Sequence, residues 1–329
     1  MNVFQNIRDY NSDSKCVLTI GTFDGVHIGH QKIIQNLIKI SRAKQFQATI
    51  LTFFPHPRMI LQKESNVKLI DTLEEKKNVL KNLGIDNLII HPFSKSFSQL
   101  TALEFCRDIL ANQLQVDSIF IGYDHRFGRN REATAEDLIA MGKTYNFDVH
   151  TIPAQDISSI TVSSTKVRKA IAAGDFNRVA DFLGRNFELT GTVSKGKGLG
   201  RTIDFPTANI NVEETYKLIP PIGVYLVSVE YEKKLFNGMM NIGTRPTLNG
   251  ENQTLEVHLF DFNEDLYKKK LKLIFLEKIR DEQKFESLDA LKKQLENDKK
   301  ISKRSLIKKG LQKNSIIFEK NILCLHYNT

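Results

Sequence analysis

The stretch Gly21-Thr-Phe-Asp-Gly-Val-His-Ile-Gly-His30 determines how the first half of this chain is expected to fold. It follows the apolar run 16–20, which is typical of a buried strand, and precedes residues 31–40, whose apolar positions recur at helical spacing. A glycine-rich loop between a strand and a helix attracts anions, because free N–H groups and the helix dipole point at it. His27 and His30 add hydrogen-bond donors. The sequence therefore predicts a loop that holds the triphosphate of ATP during attack on its α-phosphorus.

The composition predicts a soluble protein of two domains. The chain has 329 residues, of which 41% are hydrophobic and 26% are charged, and its net charge is +9. The N-terminus lacks the apolar core of a signal peptide, and no apolar run approaches the roughly 18 residues that span a bilayer. We therefore expect a cytoplasmic protein with no membrane partner, present as a monomer or weak homo-oligomer. Much of the positive charge lies in a Lys-rich C-terminal segment and no nucleic-acid-binding module is visible, so nucleic acid is not expected as a partner.

Three cysteines, Cys16, Cys106 and Cys324, lie far apart in the sequence. Their odd number and the lack of a Cys-x-x-Cys pair argue against a disulfide framework and against a zinc site. We expect them to act as small apolar side chains in the core.

Short apolar runs alternate with amphipathic stretches in the first half. The predicted strands are 17–20, 48–53, 87–90, 118–121 and 148–152, and the predicted helices are 31–45, 72–83, 101–114 and 135–146. Thr72-Leu-Glu-Glu75 has the pattern of a capping box, which supports that helix start. The alternation predicts an α/β domain with a parallel sheet, whose ligands bind beyond the carboxyl ends of the strands. The Gly21–His30 loop, Phe54-Pro-His-Pro57 and residues 122–128 follow three of these strands.

The pattern changes near Gly184. Strands are predicted at 187–193, 223–231, 235–242, 254–259 and 271–276, separated by turn residues, and a helix follows at 287–297. Several short strands at this spacing favour a small all-β barrel. The predicted domains are therefore 1–185 and 186–300, bridged by residues 172–185, with a Lys-rich tail of unassigned role at 301–329.

A second motif, Ser163-Ser-Thr-Lys-Val-Arg168, opens another helical run. Hydroxyl side chains at a helix start are ordinary N-caps, and that interpretation stays open. Arg168, one turn into the helix, would also let hydroxyls, amide groups and a guanidinium converge on phosphate oxygens.

These motifs resemble a known family. The His-Ile-Gly-His form is similar to the nucleotidyltransferase signature, and both motifs together resemble the bacterial bifunctional riboflavin kinase/FAD synthetase family. A third motif, Gly191-Thr-Val-Ser-Lys-Gly-Lys-Gly-Leu-Gly-Arg-Thr-Ile-Asp-Phe-Pro-Thr-Ala-Asn209, resembles the riboflavin kinase signature. The resemblance implies a Rossmann-like FMN adenylyltransferase domain followed by a β-barrel kinase domain. It implies phosphorylation of riboflavin by ATP to give FMN, then adenylylation of FMN to give FAD and pyrophosphate, with Mg²⁺ accompanying ATP and with FMN and FAD as substrate and product.

The resemblance also implies residue roles. Catalytic roles fall on Glu256, His27, His30 and Arg168. ATP binding falls on Gly21, Phe23, Asp24, Gly25, Gly29, Asp124, Ser164, Thr165, Gly196, Gly198, Gly200, Thr207 and Asn209. Flavin binding falls on Phe54, Pro55, His56, Pro57 and Arg280, and Mg²⁺ binding on Thr207 and Asn209. Glu256 suits a general base, since a carboxylate held at the phosphate end accepts the proton of an attacking hydroxyl.

Asp204 departs from the family pattern, which has glycine before Phe-Pro-Thr-Ala-Asn. A carboxylate there either repels phosphate or serves a backbone with positive φ, which Asp tolerates better than most residues. Two alternative functions remain. A nucleotidyltransferase for another phosphorylated acceptor, such as a pantetheine or nicotinamide precursor, would leave residues 191–209 unused. A flavin-sensing regulator on the same fold would bind flavin without consuming ATP.

Overall fold

The structure, a computed structural model, describes residues 1–12, 14–62, 66–122, 125–152, 162–196, 199–247 and 250–311. The chain divides into two compact units, Met1–Ser164 and Thr165–Thr329. The domain boundary near residue 185 stays a prediction. Among the expected features, Asp124, Gly198, Cys324 and the apolar runs 315–318 and 322–325 lie outside the described residues.

The first unit contains the parallel sheet that the sequence predicts. Its strands are β1 (Asn2–Phe4), β2 (Cys16–Ile20), β3 (Gln47–Phe53), β4 (Asn87–His91), β5 (Val116–Gly122) and β6 (Asp148–Ile152). They lie in the order β1-β4-β3-β2-β5-β6, and every neighbouring pair is parallel. The five predicted strands are confirmed. The edge strand β1 was not predicted, because three residues are too few to show a period.

The helices of this unit begin at side-chain caps. They are α1 (Ile28–Lys44), α2 (Pro57–Leu61), α3 (Leu73–Leu83), α4 (Ala102–Glu104), which continues as π-helix over Phe105–Gln113, and α5 (Ala135–Tyr145). The predicted capping box is present: Thr72 accepts from the Glu75 backbone, and the Glu75 carboxylate accepts from the Thr72 backbone. Helix α1 begins before the predicted residue 31, because His27 already caps it.

Two apolar clusters cover the two faces of the sheet. Val17 and Leu18 are neighbours in β2 and fall in different clusters, as the alternation of side chains along a strand requires. Cys16 and Cys106 are free and buried within one of them. Burial raises the pKa of each thiol to about 12, so both stay protonated and act as apolar side chains, as predicted.

The second unit contains the predicted barrel. Helices α6 (Ser164–Ala173) and α7 (Phe176–Leu183) precede strands β7 (Phe187–Ser194), β8 (Ala208–Asn211), β9 (Gly223–Tyr231), β10 (Lys234–Thr247), β11 (Gly250–Leu259) and β12 (Lys270–Arg280). The strands close in the order β10-β11-β8-β7-β12-β9. All neighbouring strands run antiparallel. The predicted combination of a parallel α/β domain with a small β-barrel is therefore confirmed.

The last helix, α8 (Leu288–Lys308), is longer than predicted. Asp298, Ser302 and Leu306 recur every four residues along it and are all buried. Leu306 packs in the cluster that contains Phe260. Residues 301–308 therefore belong to a packed helix rather than to the tail that the lysines suggested.

Candidate active sites

The loop Gly21–His30 lies at the carboxyl end of β2, between β3 and β5 in the sheet. Its backbone has positive φ at Phe23 (45°), Gly25 (81°) and Val26 (38°). Phe23 and Val26 are 3% and 0% exposed, so their burial holds a conformation that such residues rarely adopt. The Gly21 N–H donates to the Leu51 carbonyl at 3.1 Å and continues the sheet. The loop is therefore a preformed turn.

The two histidines lie together at the start of α1. His27 Nδ1 accepts a hydrogen bond from the His30 backbone N–H at 3.4 Å, and the two rings stack with centroids 3.7 Å apart. Gly29 leaves the room for this, since a Cβ there would lie 3.2 Å from His27 Nδ1. His30 Nδ1 is buried and makes no hydrogen bond within the described part of the chain.

Both imidazoles are neutral near pH 7. Burial lowers the pKa of His27 to about 4. Burial first, then the neighbouring His27 and Lys76, lower the pKa of His30 well below its ordinary value. At neutral pH the two rings therefore offer hydrogen bonds and carry no positive charge.

Buried polar contacts hold the base of the loop. Asp24 Oδ1 accepts from the Ile70 N–H at 2.9 Å, and Lys76 Nζ donates to the Thr22 carbonyl at 2.7 Å. Ser164 Oγ donates to the Asp24 carbonyl at 2.9 Å. Asp24 and Ser164, both expected to bind ATP, thus also fasten the loop. Lys76 was not among the expected residues.

Thr165 and Arg168 of the second motif lie on α6. Thr165 is exposed at its start, and Arg168 is half-buried on its second turn. Both belong to the second unit. Their placement beside the histidines stays a prediction.

The expected flavin-side segment follows β3. Phe54 packs on one of the two sheet clusters, His56 Nδ1 accepts from the Arg58 N–H at 3.1 Å and caps α2, and Pro57 opens that helix. A groove of about 360 Å³ lies beside α2, lined by Ile60, Leu61, Lys95, Ser96, Ser98 and Gln99.

In the barrel, strand register brings the candidate kinase residues together. Glu256 on β11 pairs with Asn209 on β8 and with Asn241 on β10. Thr207, just before β8, donates its hydroxyl to Glu256 Oε2 at 3.2 Å. Two residues that lie 49 positions apart in the sequence thus meet in the barrel.

Two glycines of the third motif allow close contacts. A Cβ on Gly196 would lie 2.0 Å from Asn209 Nδ2, so a larger residue would displace that amide. The Gly200 carbonyl accepts from the Phe205 N–H at 2.9 Å and closes the turn before Thr207.

Asp204 has a backbone φ of 64°, which explains an Asp where the family has glycine. Its carboxylate is exposed and lies 2.6 Å from Lys292 Nζ on α8. This contact lowers the pKa of Asp204 and partly neutralises its charge.

His258 is a residue that sequence reasoning missed. It is 6% exposed, and its Nδ1 lies 2.8 Å from the Pro206 carbonyl, which requires the proton on Nδ1. Burial lowers the pKa of His258, so the ring is neutral. It therefore supports the turn that places Thr207. The strand alternation already put His258 on the same face as Glu256, and that was the available signal.

Arg280 has a partner on α8. Its guanidinium donates two hydrogen bonds to Asp298 Oδ2, at 2.8 and 3.0 Å, and the Asp298 side chain is fully buried. The Phe285 ring lies 5.7 Å away. Arg280 thus anchors the last helix, and its expected contact with flavin stays a prediction.

The donor set at the barrel site fits Mg²⁺. The hydroxyl of Thr207, the amide of Asn209 and the carboxylate of Glu256 offer the hard oxygen ligands that Mg²⁺ prefers. Across the described residues there is no group of three or more His, Cys, Asp or Glu able to hold a metal ion.

The fold and the two sites define a two-domain transferase that handles nucleotide phosphates. The sequence model of the FAD synthetase family matches residues 9–166, and that of the riboflavin kinase family matches residues 183–306. The chain therefore belongs to the bifunctional riboflavin kinase/FMN adenylyltransferase family, whose enzymes act in flavin cofactor biosynthesis.

Relatives in other organisms are similar in sequence to this chain over most of their length. The bifunctional riboflavin kinase/FMN adenylyltransferase of Escherichia coli K12 is 38% identical over 284 residues, covering 86% of this chain and 90% of that protein. Its counterpart in Buchnera aphidicola subsp. Acyrthosiphon pisum is 37% identical over 296 residues, covering 89% and 93%. A crystal structure described as a macrolide-efflux protein from Streptococcus pneumoniae has a TM-score of 0.82 at 31% identity, covering 92% of this chain and 98% of that one.

The predicted family is thus confirmed, and neither alternative function is favoured. The riboflavin kinase match over residues 183–306 includes the motif that a different nucleotidyltransferase would leave unused. Within the part of the chain that the structure describes, no helix has the length and apolar character to span a membrane.

Proposed function

We propose that this chain makes both flavin cofactors at two sites, one in each unit. The barrel transfers the γ-phosphoryl group of ATP to riboflavin and gives FMN. The α/β unit joins FMN to the adenylyl group of a second ATP and gives FAD and pyrophosphate. The observation that carries the proposal is the meeting of Thr207, Asn209 and Glu256 in the barrel, separate from the histidine loop of the first unit.

In the kinase reaction, Glu256 is the general base. It accepts the proton of the riboflavin 5′-hydroxyl, whose oxygen then attacks the γ-phosphorus while ADP leaves. The Thr207 hydroxyl orients this carboxylate through the 3.2 Å hydrogen bond. Thr207 and Asn209 would hold Mg²⁺, which neutralises phosphate charge when bound, and the amides near Gly196, Gly198 and Gly200 would contact the phosphates.

In the adenylyl transfer, an FMN phosphate oxygen attacks the α-phosphorus of ATP. That phosphate is already ionised near pH 7, so no strong base is needed, and orientation and hydrogen bonding dominate. His27 Nδ1 accepts a hydrogen bond, so the neutral ring carries its proton on Nε2. The Nε2–H group is therefore the hydrogen-bond donor of His27. His27, His30 and Ser164 would bind the triphosphate.

Other contacts complete the proposal. The groove beside α2 supports flavin binding near Phe54–Pro57, because its wall contains the apolar side chains of Ile60 and Leu61. ATP would be surrounded by Gly21, Phe23, Asp24, Gly25, Gly29 and Asp124.

From composition we further propose a cytoplasmic monomer or weak homo-oligomer without a membrane or nucleic-acid partner.

Pyrophosphate release tests the acceptor. The purified chain is given ATP and Mg²⁺ with FMN, with phosphopantetheine or with nicotinamide mononucleotide, and a sample without acceptor is the control. Among the acceptors tested, we expect only FMN to cause release of pyrophosphate. Release with another acceptor would contradict the proposed substrate, and flavin binding without ATP consumption would point to a regulator.

A further inference from the structure

Lys76 places a buried ammonium group beneath the Gly21–His30 loop. It lies on α3, is only 4% exposed and donates from Nζ to the Thr22 carbonyl at 2.7 Å. Lysine is almost never fully buried unless it is paired. Its neighbour Lys77 shows the ordinary behaviour, with a 2.6 Å ion pair to the exposed Glu74 on the same helix.

The surroundings of Lys76 are charged. Asp24 in the loop and Asp71 just before α3 are each 2% exposed, and both raise the pKa of Lys76 against the larger lowering by burial. Lys76 in turn acts on His30 in α1 and helps to lower the pKa of that imidazole. These three groups face the ammonium from the loop, from the segment before α3 and from α1.

Packing alone does not require an ammonium here. An apolar side chain of similar length would fill the same space, but removing the ammonium alone leaves the buried carboxylates of Asp24 and Asp71 without its charge. Thr52 Oγ1 already donates to the same Thr22 carbonyl, at 3.3 Å. The distinctive contribution of Lys76 is therefore a fixed positive charge under a loop whose histidines are neutral.

We propose that Lys76 is a positioning residue for adenylyl transfer. Its ammonium group holds the Thr22 carbonyl inward, and its fixed charge aligns the triphosphate over the loop. The inference rests on the proposed FMN adenylyltransferase function. A charge in a water-poor site needs no reorganisation when negative charge moves to the leaving pyrophosphate, and it acts more strongly there than in water.

Four variants separate charge from packing: Lys76→Met, Lys76→Arg, Thr52→Val and Lys77→Met. We expect Lys76→Met to lower kcat/KM for FAD formation from FMN about 100-fold, the effect of losing one preorganised electrostatic group. Lys76→Arg keeps the charge and should stay within roughly tenfold of wild type. Thr52→Val removes only a neutral hydrogen bond and should lose about threefold. Lys77→Met is the matched control on the same helix and should leave FAD formation unchanged. FMN formation should be unchanged in all four variants.

An NMR titration of His30 gives a readout that a merely structural role would not change. Removing the positive charge of Lys76 makes protonation of His30 easier, so its pKa should rise in Lys76→Met and stay low in Lys76→Arg. If Lys76→Met fails to fold, Lys76→Met/Asp71→Asn, which also removes one buried carboxylate, takes its place.

Wild-type enzyme that forms no FAD from FMN would contradict the proposed function itself. With an active wild type, a folded Lys76→Met or double variant of normal activity would overturn the inference. So would a Thr52→Val loss as large as that of Lys76→Met, or a His30 pKa that is unchanged in the single variant Lys76→Met.

Discussion

The two candidate sites are built in different ways. In the α/β unit, Asp24, His27 and Lys76 are 2%, 7% and 4% exposed, and contacts from separate segments hold the loop. In the barrel, Thr207 is exposed and Glu256 is half-buried, and strand register aligns them. The first site thus depends on tertiary packing beneath a loop, and the second on backbone pairing.

The buried loop site and the more accessible barrel site suit the two proposed reactions. Adenylyl transfer to an ionised phosphate needs orientation and hydrogen bonding more than a proton acceptor. Phosphorylation of a hydroxyl needs a carboxylate that the substrate can reach. We therefore expect substitutions to separate the two activities.

The largest effect is expected for Glu256→Gln. Gln keeps the size and hydrogen bonding of the side chain but cannot take the substrate proton, so riboflavin phosphorylation should fall about 1000-fold. Conversion of supplied FMN to FAD should continue at the wild-type rate. Chromatography of riboflavin, FMN and FAD measures both, and normal FMN formation would exclude Glu256 as the base.

His30→Ala should have the opposite selectivity. It removes a buried imidazole of the loop, so FAD formation from FMN should fall about 100-fold or more while FMN formation is retained. The same chromatographic assay follows both products. Equal loss of both activities in a folded variant would show that the sites are not separate.

His258 tests how the barrel site is supported. His258→Asn keeps a donor at the position of Nδ1 and should retain most kinase activity, whereas His258→Gln moves the donor to the position of Nε2. We expect Gln to lower kinase kcat/KM about tenfold, because the turn before Thr207 loses its hydrogen bond to the Pro206 carbonyl. Steady-state kinetics on riboflavin measure this. Equal activity of the two variants would contradict a role for the Pro206 contact.

The smallest effect is expected at Asp204. Asp204→Asn removes the exposed ion pair with Lys292 but tolerates positive φ, so kinase activity should stay within about twofold of wild type. Asp204→Ala disfavours that backbone conformation and should lose a few-fold more. Kinase rates at low and high salt measure the difference. A large loss in Asp204→Asn would show that the charge itself matters.

Much of the fold could be predicted because its signals are local. Periodicity and turn residues located the five longer strands of the sheet and the change to a barrel near Gly184. The length of α8 was missed because its many lysines suggested a solvated tail, whereas Asp298 and Leu306 are buried on one face. A positive φ at Asp204 was one of the two interpretations that its side-chain chemistry left open, and the structure shows it.

The supports of the sites could not be predicted in this way. Lys76 follows two glutamates in a charged helix and looks like a surface residue, since nothing local shows that Thr22, 54 positions away, covers it. His258 contacts Pro206, 52 positions away. Motifs indicate residues that face a ligand, whereas the groups that hold those residues emerge only from packing.

Mixing Glu256→Gln with His30→Ala tests most directly whether the two sites work independently. Glu256→Gln and His30→Ala are given riboflavin, ATP and Mg²⁺, each alone and then together, and FAD is measured by chromatography. Each alone should form little FAD, whereas the mixture should form it readily, because FMN released by His30→Ala is used by Glu256→Gln. A mixture that makes no more FAD than the two separate samples combined would contradict two independent sites.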